Sequence, residues 1–136
     1  MSVNALDIEV LGTKILEPGD PIPLEVRELC VLALASAGIE AGHMAVEFVE
    51  PERIHKLNRE YRDKDAPTDV LSFGVDEAGD AAGPRELGDV VICPDHTEDL
   101  REAVIHGTLH LTGMDHEEDE GEMLALQSEL VRWIES

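Results

Sequence analysis

Apolar and polar residues alternate through Leu6, Asp7, Ile8, Glu9 and Val10, the period of a strand with one buried face. Pro18 to Pro23 bounds a turn-rich connection. The stretch LEVRELCVLALASA, residues 24–37, then predicts a helix, with Pro23 near its first turn and Gly38 just past its end. Met44, Val46 and Phe48 alternate again as a second strand. Pro51 opens a helix whose buried face is expected at Ile54, Leu57 and Tyr61. Val70 to Val75 predicts a third strand, the Gly-rich acidic run 76–86 a loop, and Leu87 to Cys93 a fourth strand. Residues 96–112 and 118–135 predict two closing helices, the second with Met123, Leu126, Leu130 and Trp133 on its apolar stripe. The order βαβαββαα points to one sheet with helices packed against it. Its first βαβ unit should be parallel, with a right-handed crossover.

At 136 residues the chain suits a single domain over 1–136. A chain of this size buries roughly two thirds of its unfolded surface, so it should fold without disulfides or a structural metal. Cys30 and Cys93 form no C-x-x-C pair and are expected as buried, reduced thiols. No apolar run approaches the ~20 residues that span a bilayer. The N-terminus MSVNALDIEVLG has neither the basic nor the apolar region of a secretory signal, so a cytoplasmic protein is expected. Ten Lys and Arg against 31 Asp and Glu give 10 − 31 = −21, which opposes nonspecific binding to nucleic acid. Yet Arg53, Lys56, Arg59, Arg62 and Lys64, five of the ten basic residues, share one short segment. They form either a solvated helix face or a local positive strip.

The chemistry concentrates in HGTLHLTGMDH, residues 106–116. His106 and His110 lie one helical turn apart, differing by ~40° around the axis and ~6 Å along it. Gly113 suits a left-handed helix end, after which the chain can turn back and deliver His116 as a third ligand. The spacing is that of the zinc-protease motif H-E-x-x-H-x-x-G-x-x-H, but Gly107 stands where the protease carries its glutamate base. Three protein ligands leave a fourth position for water, the pattern of catalytic zinc. Imidazole suits nickel as well, so nickel is an expected competitor in preparations. Asp115 either orients an imidazole or holds the turn. His43, His55 and His96 each stand alone, with surface or capping roles as their default.

LNREYRDKDAPTDVLSF (57–73), LGDVVIC (87–93), HGTLHLTGMDH (106–116) and EEDEGEM (117–123), in that order, resemble the YbeY family of bacterial endoribonucleases, also called rRNA maturation factors. The likeness covers roughly the C-terminal two thirds of the chain. It implies a single α+β domain with a four-stranded mixed sheet. The metal site would lie on a C-terminal helix and the turn after it. His106, His110 and His116 would bind one zinc ion. It implies hydrolysis of single-stranded RNA, maturation of the 3′ end of 16S rRNA, ribosome quality control and a small-subunit partner, with no membrane and no DNA. The family's Y-R element, here Tyr61-Arg62, makes Arg62 the functional arginine, a guanidinium able to meet a phosphoryl oxygen. Two departures stand out. The segment from Pro94 to Ile105 is shorter than the family's usual connection, and Met114 replaces the usual tyrosine.

Two other readings compete. One is a metal-dependent protease or amidase of metzincin-like geometry, with Asp69, Asp89 or Asp115 replacing the missing base. The other is a non-catalytic ribosome-binding factor whose zinc only locks the C-terminal helices.

Overall fold

The alternating segments fold as predicted into β1, Leu6–Leu11, and β2, Gly42–Phe48, joined through helix α1, Pro23–Ser36. Pro23 opens α1 at a position where the missing N–H has no intrahelical partner to lose. Helix α2, Pro51–Arg62, starts the same way, and is followed by β3, Val70–Gly74, and β4, Glu86–Ile92. Helices α3, Leu100–Leu111, and α4, Glu122–Glu135, close the order. The structure, a computed structural model, describes residues 6–75, 85–115 and 119–135. His116 and all but the end of the acidic loop therefore lie outside the described residues.

The four strands form one mixed sheet in the order β1-β2-β4-β3. β1 and β4 run parallel to β2, whereas β3 pairs antiparallel with β4. Ile8, Met44, Val46, Val90 and Ile92 bury one face against α1 and α3, in a core that includes Val26, Leu34, Val104 and Leu109. The other face is covered only in part, where Leu71 and Val91 meet Ile54 and Leu57 of α2. Helix α3 is buried nearly all round, with eight of its residues in the core. A helix apolar on so many sides belongs inside a protein. Both expected thiols, Cys30 and Cys93, are buried and unbridged.

Three helical expectations are corrected. The helix expected from residue 96 begins at Leu100, because Pro94–His96 form a 3-10 turn and the Asp99 carboxylate accepts from the Glu102 N–H at 3.1 Å as the cap. The helix expected from residue 118 begins at Glu122, because the Asp119 carboxylate accepts from the N–H groups of Gly121 and Met123 at 2.8 and 2.9 Å. Its buried side is Met123, Gln127 and Leu130, an i, i+4, i+7 stripe that leaves Trp133 69% exposed. Likewise Tyr61 is 65% exposed, and Asn58 takes the buried place in α2. Phe73 of β3 meets the Tyr61 ring edge-on, with centroids 5.4 Å apart.

On the part-covered face, His43 of β2 reaches Glu86 of β4 at 2.9 Å and Glu9 of β1 at 3.2 Å. The Glu86 hydrogen bond, more than any other cause, raises its pKa above the ordinary 6.5. The protonated form is therefore favoured by folding. Its stabilisation is complete below pH 6.5 and is lost as pH rises through the elevated value. Replacing His43 with Gln should lower stability by ~0.5–1 kcal/mol at mildly acidic pH, as for a partly solvated pair. The difference should vanish in alkaline buffer. Urea midpoints of both proteins across the pH range would check this.

Candidate metal and phosphate site

The C-terminal end of α2, strand β3, and helices α3 and α4 enclose a cleft of about 940 Å³. His106 and His110 occupy successive turns of α3 and are two of the few α3 positions not buried in the core. Their rings stand 4.9 Å apart between centroids, at 75° to one another. Each ring is held at Nδ1. His106 meets Oε1 of Gln127 at 2.6 Å, and His110 meets the backbone carbonyl of Met114 at 3.0 Å. Both partners are oxygens that accept and do not donate, so both imidazoles carry a proton on Nδ1, an arrangement that in the neutral form leaves the lone pair on Nε2. Two neutral imidazoles so oriented suit a divalent transition metal.

Among the described residues no third His, Cys, Asp or Glu joins this pair to make a metal cluster. The third histidine expected from sequence, His116, lies outside the described residues. Thr112 and Gly113 follow α3, and Gly113 is in the left-handed region at φ 101°, as its place in the motif suggested. The side chain at 114 takes no part in this contact, since the Met114 carbonyl holds His110.

Gly107 answers the question posed by the absent glutamate. A Cβ there would lie 2.4 Å from Cγ1 of Val90 and 3.2 Å from Oγ of Ser72. The Ser72 hydroxyl also donates to the Gly107 carbonyl at 3.0 Å. At this position α3 presses on the sheet, so a side chain here has no room.

Arg62 is the last residue of α2 and lines the cleft together with Lys64. Asp63 ends the helix in the left-handed region at φ 59°, and the Asn58 amide donates to the Ala66 carbonyl at 2.8 Å, which ties down the following loop. Among the described residues the arginine ion pairs are Arg53–Glu47 and Arg101–Glu25, and Arg62 takes part in neither. Of the five clustered basic residues, only Arg62 and Lys64 reach the cleft. Glu98, Asp99 and Glu102 line the cleft as well.

The three aspartates separate. Asp69 and Asp115 line the cleft. Asp69 spends one carboxylate oxygen on the Val70 N–H at 2.8 Å, holding the entry to β3. Asp89 does not line the cleft. It precedes Val90, which faces α3, so strand alternation sends it to the opposite face. There burial, chiefly, and then Glu86 raise its pKa. Sequence reasoning missed Gln127. Its signal was a polar residue spaced four after Met123 and three before Leu130, on the stripe that buries α4.

A family model described as endoribonuclease YbeY matches residues 23–135. A curated endoribonuclease YbeY from Rubrobacter xylanophilus is 46% identical over 120 residues, covering 82% of this chain and 84% of that protein. One from Bacillus cytotoxicus is 40% identical over 128 residues, covering 78% and 82%. Among solved structures, the solution structure of a Thermotoga maritima protein superposes with a TM-score of 0.54 at 28% identity, covering 91% of this chain and 86% of that one.

The contact at Gly107 makes a quantitative prediction. Replacing Gly107 with Ala should destabilise the protein by ~1–3 kcal/mol through overpacking, despite alanine's better helix propensity. Adding Val90→Ala to that variant should cost less than the two single losses summed, because the removed methyl groups make room. Urea denaturation of the four proteins in the cycle would measure the coupling.

Proposed function

Since this chain belongs to the endoribonuclease YbeY family, we propose that it is a zinc-dependent hydrolase cleaving single-stranded RNA, acting on the 3′ end of the 16S rRNA precursor and in ribosome quality control on the small subunit. The observation that carries this reading is the placement of His106 and His110, both protonated on Nδ1, in the same cleft as Arg62.

His106, His110 and His116 are the residues that would hold the ion. When bound, zinc supplies a Lewis acid toward a phosphoryl oxygen or an attacking hydroxyl. The protein's own groups do the rest. Arg62 donates to the non-bridging oxygens of the scissile phosphate, where charge grows as the phosphorus gains a bond, and it stays ionised throughout. Lys64 draws the backbone toward the same wall. Glu98, Asp99 and Glu102 of the same lining repel phosphate, which leaves Arg62 and Lys64 as its points of approach. The imidazoles line a recessed cleft, so a backbone must leave its duplex to approach them. The overall charge of −21 discourages retention of nucleic acid anywhere else on the surface.

The protease reading loses its support at Gly107, where a glutamate would meet Val90. Incubating casein and single-stranded RNA with the same preparation tests the proposal directly. RNA cleavage with casein intact is expected, and the reverse would overturn it. Unimpaired ribosome maturation by a protein lacking the histidines would instead favour the non-catalytic binding factor.

Purified protein should carry about one zinc per chain, as three histidine ligands plus an open position imply. Elemental analysis should find none in the variant with His106, His110 and His116 all replaced by Ala, and nickel should displace zinc when supplied in excess. Arg62→Ala should keep its zinc and melt with the parent, while cleaving RNA ~10²–10³-fold more slowly, as for a lost oxyanion donor. Arg62→Lys should regain little, because an ammonium lacks the bidentate fork. A fully active, zinc-replete Arg62→Ala protein would remove the residue from the reaction.

A further inference from the structure

Burying a carboxamide on the apolar stripe of α4 is unfavourable unless the group is hydrogen-bonded. Gln127 is 9% exposed, between Met123 and Leu130, in a place where another leucine would complete the stripe. Its Oε1 lies 2.6 Å from Nδ1 of His106, a contact spanning 21 residues and two helices. The other imidazole is held differently. His110 is fixed by the Met114 carbonyl, four residues away, and any side chain at 114 supplies that carbonyl. The Nδ1 contact of His106 comes instead from a side chain of another helix.

We infer that Gln127 is a positioning residue that fixes His106 as its Nδ1–H tautomer and so makes Nε2 the ligating nitrogen. A free neutral imidazole prefers the proton on Nε2, the nitrogen that must be bare to bind a metal here. The Oε1 acceptor reverses that preference and also sets the ring's rotation about χ2. Docking of α4 thereby becomes a condition for assembling the site on α3. The effect on metal affinity rests on the zinc reading above, whereas the tautomer assignment rests on the contact alone.

The test compares the parent with Gln127→Met, which keeps the length and removes the acceptor, and Gln127→Glu, which keeps an acceptor. Long-range proton–nitrogen spectra of the metal-free proteins report the His106 tautomer. Competition with a chromophoric chelator reports zinc affinity, and thermal melting monitors the fold. The parent and Gln127→Glu should show His106 protonated at Nδ1, while Gln127→Met shifts toward Nε2. Loss of such an outer partner should weaken zinc binding by ~10–100-fold, with Gln127→Glu at parental affinity or tighter. If Gln127→Met melts early, the tautomer is still read in the part of the sample that remains folded at low temperature. An unchanged tautomer in Gln127→Met, or equal loss of affinity in both variants, would overturn the inference. A parent that binds no zinc but shows the expected tautomer shift would overturn the zinc reading and uphold the role of Gln127.

Discussion

The close approach of α3 to the sheet at Gly107 is the constraint on which the rest depends. The absence of a side chain there lets the helix backbone settle on Val90 and accept the Ser72 hydroxyl. With that side of α3 seated, Val104, Thr108, Leu109 and Leu111 enter the core on neighbouring sides. His106 and His110 are left where the helix meets the cleft. The residue that would be a catalytic base in a protease is therefore a packing position here. One substitution of character, from a long acid to no side chain, exchanges a reagent for a foundation.

From that seat the site is assembled from elements distant in sequence. α3 supplies the imidazoles, the turn after it supplies a carbonyl, α4 supplies a carboxamide, and α2 supplies the guanidinium. The sheet enters through β3, whose antiparallel pairing to β4 brings its entry residue Asp69 to the cleft. The endoribonuclease YbeY family model matches this chain in sequence from residue 23 to residue 135. A 3-10 turn and an Asp99 cap before α3 give the histidine helix a regular start.

Charge is arranged against the grain of the composition. A chain at −21 presents Arg62 and Lys64 to the cleft, beside Asp69, Glu98, Asp99, Glu102 and Asp115. The remaining members of the basic segment stay outside, with Arg53 turned to Glu47. The positive strip expected from sequence thus narrows to two residues at the helix end.

By itself the sequence determined the element order, the strand faces, the histidine pair and the placement of Arg62 near a helix end, because each is written in local spacing. Period two and period 3.6 need only neighbours along the chain, and Pro23 and Pro51 mark helix starts by their own geometry. Only the tertiary structure decided which of several compatible residues face inward. Tyr61 and Trp133 fit their stripes by spacing, yet both are largely exposed, and beside Trp133 it is Val131 and Ile134 that pack against the core. Asp89 and Asp69 look equivalent as candidate bases until strand alternation sends one to the far face of the sheet. Gln127 was the least legible. Its meaning depends on a proton acceptor placed within 2.6 Å of an imidazole 21 residues earlier, and no one-dimensional pattern records a distance between two packed helices.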